Sequence, residues 1–268
     1  MFAATLLCQV LLATAAFAVP TSKERFAQRV ARRAGGLSRQ TLPKQLIATG
    51  ATTLATNVSH VEYSSNWAGA VISESSATWK TVTGTFTVPT PKEPSGSSGA
   101  HYASAWVGID GDTCDNAILQ TGVDFNVNGN SVSFDAWYEW YPDYAYDFSG
   151  ISFSAGDSVT VTVTASSKTG GTATITNVST GKTVSHTFSG QPSLCEYDAE
   201  WIVEDFSSGG GLVPFANFGT VTFTGASATT NSGSSVGPSG STLIDIEQSG
   251  KVLTSVSTTS STVTVSYV

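Results

Sequence analysis

The sequence predicts an all-β domain, a sandwich of two antiparallel sheets, over residues 61–268. Apolar and polar residues alternate along most of this region, which is the two-residue period of a strand with one buried face. Short turn sequences interrupt the alternation, and a region of about 208 residues is sufficient for one sandwich. The segment with the clearest helical character, residues 26–33, comes before this region.

Five runs show the alternation most clearly, in most cases with Thr and Val in turn: Thr81–Pro89, Ser158–Ser167, Thr172–Ser179, Thr220–Ala226 and Ser261–Val268. Turns are predicted between runs at three dipeptides that contain glycine: Gly156–Asp157, Gly170–Gly171 and Ser249–Gly250. Two stretches rich in Gly and Ser, residues 94–101 and 229–241, are typical of flexible surface loops.

The segment Trp137–Tyr146 departs from this pattern, because it has six aromatic residues and two carboxylates among ten residues. Such a mixture is typical of a binding groove, where flat rings supply contact area and carboxylates bind polar partners. A strand with one face in the core and tyrosine hydroxyls in water explains the composition equally well.

The first residues, Met1–Ala18, are typical of a signal peptide. They form an apolar run that ends in Ala16-Phe17-Ala18, a small-x-small cleavage pattern. No later hydrophobic run approaches the length of a membrane span. We therefore expect a secreted, extracellular protein without a membrane partner.

Charge divides the rest of the chain near residue 60. Residues 19–60 carry seven basic residues and one acidic residue, whereas residues 61–268 carry five lysines, no arginine and nineteen carboxylates. The two parts attract each other at neutral pH, and the attraction fades as the carboxylates take up protons near pH 4. The division predicts a basic propeptide over residues 19–60 that acid releases from a mature domain over residues 61–268. A disordered basic linker is the alternative, and either reading excludes nucleic acid as a partner of the acidic domain.

Cysteine use agrees with export. With Cys8 in the signal peptide, Cys114 and Cys195 remain as a pair, and a disulfide is the expected state of such a pair in an oxidising compartment. Two glycosylation sequons begin at Asn57 and Asn177, and each is usable where its asparagine is exposed.

Several catalytic constellations are missing from residues 61–268. A serine triad needs a histidine base, but His101 lies in a Gly/Ser loop and His186 in an ordinary alternating run. Gly233–Gly237 matches G-x-S-x-G without the strand and helix that should flank that motif. Zinc-binding and aspartic-peptidase motifs are absent, and paired cysteines leave no thiolate. We expect no metal and no cofactor, with calcium as an alternative at four clustered residues: Asp110, Asp112, Asp115 and Asn116.

Two segments carry the remaining chemistry, SAWVGIDGDTCDNAILQTGVDF at residues 104–125 and CEYDAEWIVEDF at residues 195–206. With SSNWAGAVI around Asn66 and DAWYEWYPDYAYDFS at residues 135–149, they resemble the fungal glutamic peptidases, also called eqolisins. The resemblance covers essentially all of residues 61–268. It implies a secreted acid endopeptidase made as a zymogen, with the fold of a lectin-like jelly roll of two antiparallel sheets.

The resemblance implies that Gln120 and Glu200 are the catalytic residues. Glu200 would act as base and then as acid, and Gln120, whose amide does not titrate, would hold the water and donate to the oxyanion. Activity around pH 2–4 would require a lowered pKa of Glu200 or a shared proton, because its reference pKa is about 4.3. Six further residues are implied to line or support the cleft: Trp67, Trp106, Asp110, Asp124, Glu139 and Tyr141.

The partners implied are protein or peptide substrates and the protein's own propeptide as inhibitor, and we expect a monomer. A second hypothesis is a secreted lectin or glycoside hydrolase, in which Glu139 and Glu204 would be the acid and base. The basic leader argues against it, since a lectin has little need of a segment that acid releases. An inactive structural sandwich on the cell surface is a third.

Overall fold

The computed structural model describes residues 39–47 and 61–268, which belong to one compact unit extending from Ser38 to Val268. The predicted signal peptide, the helix at residues 26–33 and the sequon at Asn57 lie outside the described residues. The described residues form strands, turns and loops. Among them, no helix has the length and apolar character needed to cross a membrane.

Twenty strands cover the described ranges. In chain order they are β1 Arg39–Gln40, β2 Val61–Ser64, β3 Trp67–Ser73, β4 Trp79–Thr87, β5 Ala100–Ile109, β6 Ile118–Asn128, β7 Ser131–Tyr141, β8 Tyr146–Asp147, β9 Ser158–Ser167, β10 Gly170–Asn177, β11 Lys182–Phe188, β12 Asp198–Glu204, β13 Ser207–Ser208, β14 Gly211–Leu212, β15 Thr220–Thr230, β16 Ser235–Val236, β17 Thr242–Gln248, β18 Lys251–Val252, β19 Thr254–Thr258 and β20 Thr262–Tyr267.

Two large sheets pack face to face, as the sequence predicts. The first, here called the cleft sheet, has the order β18-β17-β3-β12-β5-β6-β7-β8, and β2 also pairs with β17. The second, here called the outer sheet, has the order β11-β10-β9-β4-β15-β20-β19, and β16 pairs with β15. The pairing is antiparallel except between β2 and β17, which run parallel. Leu243 and Ile244 of β17 pair with both β2 and β3, so these two strands lie on opposite edges of β17.

The five predicted runs are all strands, because the alternation of Val and Thr matches a sheet with one buried face. β9 has the predicted bounds, and the other four runs differ by at most four residues at an end. The turn predicted at Gly170–Gly171 is wrong, since the turn residues are Lys168 and Thr169 and Gly170 begins β10. Gly171 instead permits a close approach of strands, because a Cβ there would lie 2.6 Å from the carbonyl oxygen of Thr164.

The core lies between the two sheets, and a smaller apolar cluster covers the other face of the cleft sheet. Trp201 of β12 links the sheets, since it is fully buried and its indole N–H donates to the carbonyl of Thr83 at 2.8 Å. The smaller cluster holds three tryptophans and several aliphatic residues: Trp67, Trp106, Trp137, Val71, Ile118, Ala145, Ile202 and Ile244. Both faces of the cleft sheet are therefore buried at its centre, which explains why β12 is buried at every residue.

Two expectations about polar residues change. Asn177 is fully buried and its amide donates to the carbonyl of Ser152 at 3.0 Å and to Asp157 at 2.9 Å, so the folded chain does not present it for glycosylation. His101 lies in β5 rather than in a loop and is buried, with its ring between the hydroxyl of Ser97 and the carbonyl of Gly99.

Candidate active site

Gln120 and Glu200 lie in one row across the cleft sheet, on either side of Gly108. Gly108 of β5 pairs with Gln120 of β6 and with Glu200 of β12. Directly opposed residues of antiparallel strands point to the same face, so both side chains project from the face that carries the smaller apolar cluster. Glu139 of β7 pairs with Gln120 and extends the row by one strand. The resemblance implied all three side chains, and the register brings them together.

Gly108 makes room between the two side chains. A Cβ at this position would lie 2.5 Å from Oε1 of Glu200 and 2.8 Å from Cζ3 of Trp106. The Glu200 carboxyl group therefore leans over β5 into the space that a side chain would fill. Gln120 and Glu200 stand two strands apart, about 10 Å between backbones, and this lean shortens the gap between their polar ends.

The polar side-chain atoms of Gln120 and Glu200 have no hydrogen-bond partners in the described part of the chain. Both side chains are fully buried, and neither the two amide atoms of Gln120 nor the two carboxyl oxygens of Glu200 form a hydrogen bond. Burial raises the pKa of Glu200 well above its ordinary value, and the nearby Asp198, Asp110 and Asp112 raise it further. Burial therefore favours the protonated acid, in contrast to a lowered pKa, which was one of the two expectations for activity in strong acid; the other was a shared proton.

Three tryptophans, Trp67, Trp106 and Trp137, lie on the same face of the cleft sheet as Gln120 and Glu200. Trp106 and Trp67 meet edge to face with ring centroids 5.0 Å apart. Their polar N–H groups are all used: Trp106 donates to Oε2 of Glu204 at 2.9 Å, and Trp137 donates to the hydroxyl of Ser104 at 3.1 Å. The rings are therefore held in fixed orientations.

The segment Trp137–Tyr146 contributes aromatic side chains to both faces of the cleft sheet. Trp137 belongs to the apolar cluster of the cleft face and Tyr141 packs against it, whereas Trp140 is part of the core on the other side. Strand alternation divides the aromatic residues between the two faces of β7.

The carboxylate of Asp110 is used within the protein, in contacts with the segment that precedes β12. It accepts four backbone N–H groups from Cys195, Glu196, Tyr197 and Asp198, at 2.7–3.3 Å. Burial raises its pKa to about 6, while these N–H groups act to lower it. Asp110 supports the site indirectly, because it holds the residues that lead into the strand of Glu200.

Asp198 makes the reciprocal contact with the segment that follows Asp110. Its carboxylate accepts the N–H groups of residues 112–114 and the hydroxyl of Thr113. The predicted disulfide between Cys114 and Cys195 is present between the same two segments. Asp110 and Asp198 are thus engaged by backbone N–H groups, and the described residues contain no group of three His, Cys, Asp or Glu side chains placed to hold a metal ion.

Residues 39–47, which lie within the predicted propeptide and are here called the strap, cross the cleft face. Arg39 and Gln40 form β1, which pairs with Ser208 and Ser207 of β13 and so adds an edge strand to the β13–β14 hairpin. Further along, Leu46 bridges to Ser64 and the N–H of Ile47 donates to the carbonyl of Tyr63 at 2.9 Å.

The guanidinium group of Arg39 occupies an acidic and aromatic pocket. It donates to both oxygens of Asp124, at 2.6 and 2.8 Å, and to the hydroxyl of Ser104 at 3.0 Å. Glu139 lies 3.6 Å away, and the rings of Trp137 and Phe206 lie 3.9 and 4.4 Å from the guanidinium carbon. Bidentate pairing and two ring faces make this the most extensive side-chain contact of the strap.

A second cation anchors the other half of the strap. The ammonium group of Lys44 pairs with Asp112 and, at 2.6 Å, with Glu62. Between the two cations, the N–H of Thr41 donates to Oε2 of Glu139 at 3.1 Å, and the carbonyl of Leu42 accepts from the indole of Trp67 at 3.0 Å. The strap thus contacts Glu139, the cross-strand neighbour of Gln120.

The carboxyl groups around Arg39 have raised pKa values. Burial raises the pKa of Asp124 to about 6 and that of Glu204 to about 8, while Arg39 acts to lower both. The pKa of Glu139 is raised well above its ordinary value, again by burial and against the effect of Arg39. Each of these groups therefore holds its proton more tightly when Arg39 is absent.

Sequence reasoning missed Arg39, Lys44, Asn66, Ser104 and Gly108 as site residues. The sequence identifies residues 19–60 only as a positively charged leader, and no pattern distinguishes Arg39 from the other arginines of that leader. The sequence suggests a role for Glu204 only in the alternative hypothesis of a glycoside hydrolase. Gly108 carried a weak signal, since it interrupts the run of larger residues in SAWVGI. Asn66 and Ser104 carried none, because their roles depend on partners far away in the sequence.

Comparisons with known proteins match nearly all of this chain. The Peptidase A4 family matches residues 65–267. The chain is 53% identical to aspergillopepsin-2 from Aspergillus niger over 283 residues, covering 98% of this chain and 99% of that protein. It is 42% identical to scytalidopepsin B from Scytalidium lignicola over 277 residues, covering 99% and 98%. A crystal structure of scytalido-glutamic peptidase with a transition state analog inhibitor matches with a TM-score of 0.68 and 41% identity, covering 76% of this chain and 98% of that one.

Proposed function

The chain belongs to the Peptidase A4 family and is a glutamic-type endopeptidase. We propose that it is a secreted acid peptidase, made as a zymogen, whose catalytic pair is Gln120 and Glu200. The observation that carries the proposal is the row Gln120–Gly108–Glu200, in which four buried polar atoms have no hydrogen-bond partner. Buried polar groups of folded proteins are normally paired, so unpaired ones in a cleft indicate a place for substrate or water.

The two side chains can supply what peptide hydrolysis needs. Glu200 takes a proton from the attacking water and returns it to the leaving amine. Gln120 accepts a hydrogen bond from the water through its amide oxygen and donates one to the oxyanion through its nitrogen. An amide has no titration in this range, so Gln120 performs both tasks at any acidic pH.

The protonation of Glu200 changes when the cleft opens. Burial is the largest cause of its raised pKa. Entry of water after the strap leaves would lower that pKa towards the ordinary range, so that a fraction of Glu200 carries the carboxylate that a general base requires. In the closed form burial favours the protonated acid, which lacks this capacity.

Single substitutions test the pair. Glu200→Gln and Gln120→Ala should each reduce the rate of cleavage of a denatured protein at pH 3, the latter by roughly 10²–10³-fold, the cost of one oxyanion donor. Glu74→Gln, an exposed position, is the matched control for the loss of a carboxylate. Full activity in either dyad variant would reject the assignment of that residue.

We also propose that the strap is the inhibitory part of the propeptide. It contacts Glu139, Trp67 and Asp124, three residues of the cleft face. None of its described polar contacts involves Gln120 or Glu200, so it lies in the cleft without presenting a peptide bond to the dyad. A peptide held in this way is an inhibitor rather than a substrate.

Acid would release the strap. Arg39 acts to lower the pKa of Asp124, Glu139 and Glu204, because its positive charge stabilises their ionised forms. The ion pair between Arg39 and Asp124 is lost as pH falls through about 6, where Asp124 takes up a proton in the strap-bound form, so this contribution to strap binding disappears in acid. This sharpens the electrostatic interpretation of the sequence, because the effect comes from a few buried carboxylates rather than from net charge.

Export and substrate class complete the proposal. The predicted signal peptide at residues 1–18 directs the chain out of the cell, where protein or peptide substrates are hydrolysed by the monomeric mature domain. Cleavage of the chain between the strap and β2 would separate propeptide from enzyme.

A further inference from the structure

Asn66 holds the main chain of the strap with nearly all of its hydrogen-bonding capacity. The residue is fully buried just before β3. Its amide nitrogen donates to the carbonyl oxygens of Leu42 at 3.3 Å and Pro43 at 3.2 Å, and its amide oxygen accepts the N–H of Gln45 at 2.9 Å. Trp67, the next residue, donates a second hydrogen bond to the same carbonyl of Leu42.

These contacts do not depend on the side chains of the strap. They involve two carbonyl groups and one N–H group of the backbone, which every peptide possesses apart from the N–H of proline. A site that binds only these groups recognises a peptide main chain whatever its sequence.

The amide of Asn66 is positioned by the enzyme itself. The hydroxyl of Ser64 donates to Oδ1 of Asn66 at 2.8 Å, and the N–H of Asp205 donates to the Asn66 carbonyl at 2.9 Å. Both partners belong to the mature domain. Departure of the strap would leave this oriented, buried amide nitrogen without its two acceptors, an arrangement that folded proteins avoid.

The amide lies beside the candidate active site. Trp67 contacts Trp106, and Trp106 flanks Gly108 between the dyad residues. A main chain bound at Asn66 and Trp67 therefore extends along the same cleft face as the catalytic row.

We propose that Asn66 is a substrate-binding residue that holds the main chain of the peptide substrate through the same amide contacts with which it holds the strap. This inference rests on the proposed peptidase and zymogen function. The strap then inhibits because it takes the main-chain contacts that a substrate needs.

The test uses mature enzyme obtained by acid treatment of the full chain, with a defined peptide substrate and a synthetic peptide of residues 39–47 as inhibitor. Asn66→Ala should raise KM and the inhibition constant of the peptide together, each roughly tenfold, and change kcat less than about twofold, since the lost contacts are the same before and during the reaction. Asn128→Ala, an exposed asparagine at the end of β6, is the matched control and should change neither constant.

Other outcomes would overturn the role of Asn66 in substrate binding. A raised inhibition constant with unchanged KM would show that the contacts serve the strap alone and would overturn the inference, as would no change in either constant. If Asn66→Ala does not fold, Trp67→Phe answers the same question, because it removes one donor and keeps a ring. Wild-type enzyme that neither cleaves the substrate nor responds to the peptide would instead reject the proposed function.

Discussion

The carboxyl group of Glu200 occupies the space above Gly108, where a Cβ would lie 2.5 Å from its Oε1. Gly108 is the residue that stands between Gln120 and Glu200 in the sheet. The approach of the two proposed catalytic groups thus depends on the absence of one side chain on the strand between them.

Gly108→Ala should therefore reduce activity much more than stability. Gly108 does not have a positive φ, so alanine fits the backbone, but its Cβ would displace the Glu200 carboxyl group and the edge of Trp106. We expect kcat to fall by about 100-fold, the size of effect produced by small misplacement of catalytic groups. Steady-state kinetics at pH 3 and thermal unfolding measure the two effects. A variant with wild-type kcat would show that Glu200 does not act from this position.

Arg39→Gln should weaken the inhibition of the full chain at neutral pH. The substitution removes the bidentate pair with Asp124 and leaves that buried carboxylate without its cation. We expect peptidase activity of the freshly purified full chain at pH 6.5 to rise roughly 100-fold, with no difference from wild type at pH 3.

Arg33→Gln is the control for net charge, because it makes the same charge change in the same leader. If overall attraction between leader and domain caused inhibition, both variants would activate the chain equally. Activation by Arg39→Gln alone would support a specific contact.

Asp205→Asn should make the protein more stable at pH 8 and leave its stability at pH 4 almost unchanged. Burial raises the pKa of Asp205 to about 7, and its Oδ1 has no partner. A folded pKa above the unfolded one means that the carboxyl group stabilises the fold below about pH 4 and loses this contribution as pH rises through 7. The substitution avoids burying a charge, a gain on the order of 2–4 kcal/mol at pH 8.

Urea unfolding of both proteins at the two pH values measures this difference, with the exposed Asp115→Asn as control. Equal effects of Asp205→Asn at pH 4 and pH 8 would contradict the raised pKa. Since Asp124 and Glu204 also have raised pKa values, we expect the wild-type domain to lose stability from pH 5 to pH 8.

Replacing both cysteines of the disulfide should destabilise the domain without abolishing its fold. The bond joins residues 81 positions apart, and closing a loop of that length contributes about 4 kcal/mol in the chain-entropy model. Asp110 and Asp198 still hold the two segments together through backbone N–H groups. Urea unfolding of the Cys114→Ala, Cys195→Ala double variant gives the value, and a loss below 1 kcal/mol would assign the structural role to the two aspartates.

The local parts of the fold were predictable because their causes are local. A run such as Ser158–Ser167 can bury its Val side chains only as a strand, so its type and bounds follow from alternation alone. The turn predicted at Gly170–Gly171 was wrong because the cause that decides it is not local. Glycine serves turns and close strand contacts equally well, and only the carbonyl of Thr164 across the sheet distinguishes the two uses.

The resemblance supplied candidate site residues but could not supply their geometry. Long motifs around Gln120 and Glu200 pointed to the dyad through resemblance, but the register that places both beside Gly108 is a property of three strands from distant parts of the chain. Asp110 illustrates the limit, because the resemblance implied that it lines or supports the cleft, and only the structure shows that its carboxylate holds residues 195–198.

Composition and periodicity alone predict an exported all-β domain with a basic leader, because charge and alternation are written along the chain. Only the tertiary structure shows which basic residue of the leader binds the cleft face. It is Arg39, because the folded chain brings Asp124, Trp137 and Phe206 around its guanidinium group. The tertiary structure also decided that Gly108 separates the proposed catalytic pair, since a contact between β6, β5 and β12 exists only after the sheet has formed.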